Sequence, residues 1–159
     1  MTRKEQYNQL ILQIAGLIKD ETNLVGILAN VSAALHDTFP ERFFWVGFYL
    51  QENGNMLRLG PFQGSVACYV IPFGKGVCGK AWEEGCTLIV PDAEKFPGHI
   101  ACSSLSRSEI VVPMYDDSHT FRGVLDIDST QLNDFNEDDK EGLERIIELL
   151  MAETHDLFQ

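Results

Sequence analysis

The residues Phe43-Phe44-Trp45-Val46-Gly47-Phe48-Tyr49-Leu50 form one unbroken apolar and aromatic run. Pro40 stands before it and the turn-forming Glu52-Asn53-Gly54-Asn55 follows. The run therefore predicts a buried strand that enters a hairpin. Upstream the period is helical. Leu10, Ile11, Ile14, Leu17 and Ile18 recur on one helix face, and after Asp20-Glu21-Thr22, with Thr22 as the expected cap, Leu24, Ile27, Leu28, Val31 and Leu35 do the same.

Met56–Leu59 and Ala67–Ile71 predict second and third strands. The stretch from Pro72 to Arg107 is rich in Gly and Pro, with a short helix near Cys78–Glu84 and a short apolar run at Leu88–Val90. A long irregular segment in a compact domain is usually functional or disordered, and this one is too apolar for disorder. Glu109–Met114 and Phe121–Ile127 predict a second hairpin around Asp116-Asp117-Ser118-His119. A closing helix spans about 137–154, with Leu143, Ile146, Ile147 and Leu150 on its apolar face and Asn136 and Asp139 as a capping box. Helices, a meander of strands and a final helix predict an α+β fold: an antiparallel sheet with helices packed on one face and a long irregular segment over a pocket. The whole chain, residues 1–159, is read as one domain.

Charge narrows the function classes. The chain carries 24 acidic against 12 basic residues, a formal net charge of -12, and such a field repels phosphate backbones. Nucleic acid is not an expected partner. An amphipathic start and the lack of any run of 18 apolar residues give no membrane partner and a cytoplasmic expectation. In that reducing compartment Cys68, Cys78, Cys86 and Cys102 are read first as catalytic, redox or metal-binding candidates rather than structural disulfides.

Strand alternation gathers scattered residues. Trp45 and Tyr49 share one face, with Phe44, Val46, Phe48 and Leu50 on the other. Asp126 and Asp128 likewise share a face, and Glu109 lies roughly across from them on the partner strand. Periodicity alone fits solvent-facing aspartates as well as three carboxylates converging on a pocket. In the second case like charges cannot all ionise, so at least one carboxyl holds a proton at neutral pH and can donate it. Cys78 sits at the start of the short helix, where the dipole favours a thiolate. Cys102 lies in a loop with His99 and Arg107 near in sequence, Cys68 in an apolar strand-like stretch, and Cys86 in a turn where it reads as incidental. A zinc site from Cys68, Cys78, His99 and Cys102 lacks any Cys-x-x-Cys knuckle and is the weaker reading.

Nearly the whole chain resembles the free methionine-(R)-sulfoxide reductases, stand-alone enzymes of the GAF fold. The resemblance rests on Gly60-Pro61-Phe62-Gln63-Gly64, Ala67-Cys68, Gly76-Val77-Cys78-Gly79, Phe96-Pro97-Gly98-His99-Ile100-Ala101-Cys102, Ser108-Glu109-Ile110-Val111-Val112-Pro113 and Leu125-Asp126-Ile127-Asp128-Ser129. The cysteine spacing, ten residues from Cys68 to Cys78 and twenty-four more to Cys102, agrees with the family's three. Two features depart from it: Ser103 stands where members usually carry Asp, and Cys86 is a fourth cysteine.

The resemblance implies a single GAF domain in which Cys102 attacks the sulfoxide sulfur. Glu109, Asp126 and Asp128 would bind the oxygen and the ammonium and supply the proton. Cys68 or Cys78 would resolve the sulfenic acid as a disulfide, recycled by thioredoxin. Trp45 and Tyr49 would hold the methyl end of the substrate. No metal and no organic cofactor is expected, and a homodimer is implied. The rival from another class is a non-catalytic GAF module that senses a small molecule or redox state. The three spaced cysteines and the carboxylates favour the enzyme.

Overall fold

The computed structural model describes residues 1–100 and 102–158; Ala101 of the Phe96–Cys102 motif and Gln159 lie outside them. Four helices, α1 (Arg3–Ile18), α2 (Leu24–Thr38), α3 (Gly76–Glu84) and α4 (Glu137–Thr154), accompany six strands. These are β1 (Trp45–Glu52), β2 (Met56–Gln63), β3 (Val70–Pro72), β4 (Leu88–Val90), β5 (Ser108–Tyr115) and β6 (Phe121–Ser129). They form one sheet in the order β3-β2-β1-β6-β5-β4, with every neighbouring pair antiparallel.

The aromatic run from Trp45 onward becomes β1, paired on both sides by β2 and β6. Its alternation splits the core in two. Val46 and Phe48 pack with α1, α2 and α4 on one face. Trp45 and Tyr49 pack on the other with residues of α3. Three helices thus cover one face as expected, while the short α3 and the irregular segment cover the opposite face. Phe44 precedes the strand and packs on the Trp45 side, against the expected alternation, because period two applies only once the ladder has begun.

Two glycines permit close approaches. A Cβ on Gly47 would lie 2.8 Å from Phe62 Cα and 2.9 Å from the Pro61 carbonyl, at an irregularity in the β1–β2 ladder. A Cβ on Gly142 would lie 2.6 Å from Cδ1 of Tyr7, so this glycine lets α4 seat on α1. Between those helices lies a buried ion network. Asp139 accepts from the Tyr7 hydroxyl at 2.6 Å, from Arg3 Nη1 at 2.7 Å and from Arg42 Nη2 at 3.1 Å. The same Asp139 and Asn136 form the expected capping box of α4.

Other local expectations shift. Thr22 does not cap α2; Asn23 takes the cap position without a side-chain bond, and Glu21 Oε1 accepts the amides of Thr22 and Asn23 instead. β2 runs on to Gln63, and the third strand is Val70–Pro72 rather than 67–71. Cys68 lies outside the ladder, and its carbonyl accepts the Tyr49 hydroxyl at 2.9 Å. Leu88–Val90 is a true edge strand beside β5.

Candidate active site

The face of the sheet opposite the three-helix layer carries a cavity of ≈ 50 Å³. Its floor is the β5–β6 ladder, where Glu109 stands opposite Asp128 and Val111 opposite Asp126. Asp126 in turn pairs with Gly47 and Asp128 with Trp45 across the β1–β6 ladder. All eight residues singled out from the sequence reach this place. Trp45, Tyr49, Cys78, Cys102, Glu109, Asp126 and Asp128 line the cavity, and Cys68 is joined to Cys102 by a disulfide with a Cα–Cα separation of 5.5 Å, ordinary for such a bond.

The aromatic wall is built by packing. The Trp45 ring stacks near-parallel to Tyr49 at 5.8 Å and to Phe62 at 5.0 Å, and Phe62 gets that close to β1 only because Gly47 has no side chain. Trp45 Nε1 donates to the Ser65 carbonyl at 3.0 Å, and the Tyr49 hydroxyl to that of Cys68. The wall therefore fixes the backbone on both sides of Ala67. Facing it, the chain on either side of Cys102 is anchored: Ala93 N donates to the Arg107 carbonyl at 2.8 Å, and Arg107 N to the Ser129 carbonyl at 2.7 Å. The Ile100 side chain leans on Gly76 at the start of α3.

The cavity floor holds protons. Glu109 and Asp126 are buried, and Asp128 is partly so. Burial lifts the Glu109 carboxyl well above the usual carboxylate range, and the charges of Asp126 and Asp128 lift it further. Asp128 is raised well above by burial and then by Asp126. Burial also raises Asp126, but hydrogen bonds to Glu109 and Cys78 oppose the rise. Glu109, Asp128 and the Cys78 thiol are thus the groups held most strongly toward their protonated forms, while Asp126 is the acid whose rise is opposed. Burial, and next the charge of Asp126, push Tyr49 and Cys78 up as well.

Two expectations change here. Cys78 does lie in the first turn of α3, yet the helix end does not make it a thiolate, since burial and three carboxyl groups outweigh the dipole. The choice of partner for Cys102, open in the sequence, falls on Cys68; Cys78 remains a buried thiol and Cys86 an exposed one. A zinc site from Cys68, Cys78, His99 and Cys102 is thereby ruled out in this state, because two of its sulfurs are bonded to each other. Among the described residues the one group of donors close enough for a metal is Cys78, Glu109 and Asp126, whose ligand atoms lie within 4.8 Å of one another. Phe44 lines the cavity and Phe62 backs its Trp45 wall, and neither is marked by strand alternation. Gly47 inside an aromatic strand was the available signal for Phe62.

No family model matches the chain. Among proteins, it is 56% identical over 149 residues to GAF domain-containing protein A of Dictyostelium discoideum, covering 94% of this chain and 92% of that one. It is 42% identical over 155 residues to the free methionine-R-sulfoxide reductase of Saccharomyces cerevisiae, with coverages of 94% and 86%. Among solved structures, the free methionine-R-sulfoxide reductase of Neisseria meningitidis, in complex with its substrate, superposes with a TM-score of 0.93 at 46% identity, covering 98% of this chain and 92% of that one. The α+β architecture is accordingly that of the GAF domain. Sequence identity at this level over almost the full length, joined to the same fold, places the chain in the free methionine-R-sulfoxide reductase family.

Proposed function

We propose that the chain reduces the R sulfoxide of free methionine to methionine, with Cys102 as the nucleophile. The observation that carries this reading is the meeting of a bonded cysteine pair and a protonated carboxyl cluster at one cavity. With the disulfide reduced, Cys102 sulfur attacks the sulfoxide sulfur and the S–O bond weakens. The oxygen then needs a proton, which Glu109 or Asp128 supplies. General acid assistance of this kind is worth on the order of 10²–10⁴-fold. Methionine leaves, and the oxygen remains on Cys102 as sulfenic acid. The Cys68 thiol displaces it as water and forms the disulfide. An external dithiol of the thioredoxin type returns both sulfurs to thiols by exchange. The residues themselves supply each step without a metal or organic cofactor.

Ionised Asp126 suits the substrate ammonium, and the Trp45–Tyr49 wall suits its methyl group. A site that requires the free ammonium rejects methionine inside a peptide. A reducing, cytoplasmic setting fits the free thiols of Cys78 and Cys86. The homodimer remains part of this reading; Leu12 on α1 and Val25 on α2, 76% and 68% exposed, are apolar surface that it would cover. No helix among the described residues is long and apolar enough to cross a membrane.

The deciding experiment is single-turnover reduction of resolved free methionine sulfoxides by the pre-reduced chain and by Cys102→Ser. One equivalent of methionine from the R form, and none with the variant, is expected. Methionine from Cys102→Ser means another nucleophile, and binding without any methionine means a sensor.

A further inference from the structure

Cys78 takes no part in the disulfide and has no step in the reaction, yet it points into the cavity beside the carboxyl cluster. Its sulfur, an oxygen of Glu109 and an oxygen of Asp126 all lie within 4.8 Å of one another. A second, independent feature marks the same spot. Asp126 is only 6% exposed, and its Oδ1 is buried without a hydrogen-bond partner among the described residues. An acceptor buried in that way costs stability until something positive meets it.

We propose that the pocket is also a binding site for a thiophilic divalent cation of the zinc class, held by Cys78 Sγ, Glu109 and Asp126, and that the ion inhibits the reductase by taking the carboxylates the substrate needs. One sulfur and two carboxylates form a mixed donor set of the kind zinc accepts, and the cavity leaves a fourth position for water. The same set is poor for magnesium, which wants six oxygens in an octahedron and sheds its waters reluctantly. Binding converts the Cys78 thiol and the Glu109 carboxyl to their anions and releases two protons; no bond is oxidised or reduced. Affinity therefore rises with pH. Because Cys78 lies outside the Cys68–Cys102 bond, the site is present in the disulfide form, where the two reactive sulfurs cannot ligate.

The test uses the full chain in its disulfide form with Cys86→Ser, which leaves Cys78 as the sole thiol. Cadmium titration followed by thiolate-to-metal absorption should show one ion per chain. The band should vanish in Cys78→Ala, while Glu109→Gln should keep it at an affinity at least tenfold weaker. Zinc should displace the cadmium, and magnesium should not. With the active enzyme, zinc should raise the apparent KM for the sulfoxide, and its inhibition constant should rise at least tenfold in Cys78→Ala. Absence of the band, or a band that survives in Cys78→Ala, overturns the assignment. So does an affinity unchanged by Glu109→Gln, or equal displacement by magnesium. The cadmium reading needs no turnover, so it stands or falls separately from the proposed reaction.

Discussion

Glu109 on β5 and Asp128 on β6 stand directly opposite each other across the ladder, and both carboxyls are lifted well above their ordinary range. Neighbouring acids on a sheet usually repel into solvent; here the sheet face is roofed, so the pair keeps protons instead. That relationship makes the floor of the cavity an acid at neutral pH.

It also sets a stability profile. A carboxyl whose folded value is raised binds more protons in the folded state than in the unfolded one. Its favourable contribution is whole below the unfolded value, near 4.3 for glutamate, and is lost as pH rises through the folded value. The substrate-free chain should therefore lose stability through Glu109 as pH is raised from about 4.5 towards the folded value. Glu109→Gln should flatten that decline and melt higher than the parent at pH 8. Thermal melts of both proteins across the interval check it; parallel curves would show that Glu109 is not buried as an acid.

Gly47→Ala should be among the most damaging small changes. Its new methyl would press on Phe62 and on the backbone of β2, neither of which can turn away. Overpacking of this kind typically costs about 1–3 kcal/mol, and backbone contact argues for the upper end. The urea midpoint reads the loss. Trp45 fluorescence of the folded variant should also change as its stack with Phe62 opens.

Much of this site was legible because it lies on strands. Period two put Asp126 and Asp128 together and Trp45 beside Tyr49, and the hairpin turn brought Glu109 across. What periodicity could not supply is the pairing of loops. Cys68 and Cys102, 34 positions apart, meet from two loops, held by bonds such as Tyr49 to the Cys68 carbonyl that no local pattern announces. The environment of Cys78 was hidden for a related reason. Its place at a helix start was visible, but the carboxyls that reverse its titration come from two distant strands.

Asp139→Ala tests the far side of the molecule. Asp139 is fully buried and anchors Arg42, whose guanidinium also lies over the rings of Phe39, Phe43 and Phe135. Removing one partner leaves a largely buried cation with less compensation, a loss of about 3–5 kcal/mol. The network stands across the sheet from the cavity, so the folded fraction should keep its KM for the sulfoxide. A shifted KM together with a small stability loss would contradict this division.

The two cysteines that the sequence could not rank now separate. Cys68 is bonded to Cys102, while Cys78 is a protonated thiol inside the carboxyl cluster. A thiol with a raised pKa attacks slowly at neutral pH, because the thiolate is the nucleophile in exchange. Cys68→Ser should release about one methionine per chain and then stall as the sulfenic acid on Cys102, since the other sulfur at the cavity, Cys78, is held as a thiol. Cys78→Ser should keep turning over with a thioredoxin system, as the disulfide it needs is intact. Counting methionine released per chain, with dimedone to trap the stalled sulfenic acid, distinguishes them. Sustained cycling by Cys68→Ser, or a stall at one equivalent in Cys78→Ser, would hand the resolving role to Cys78.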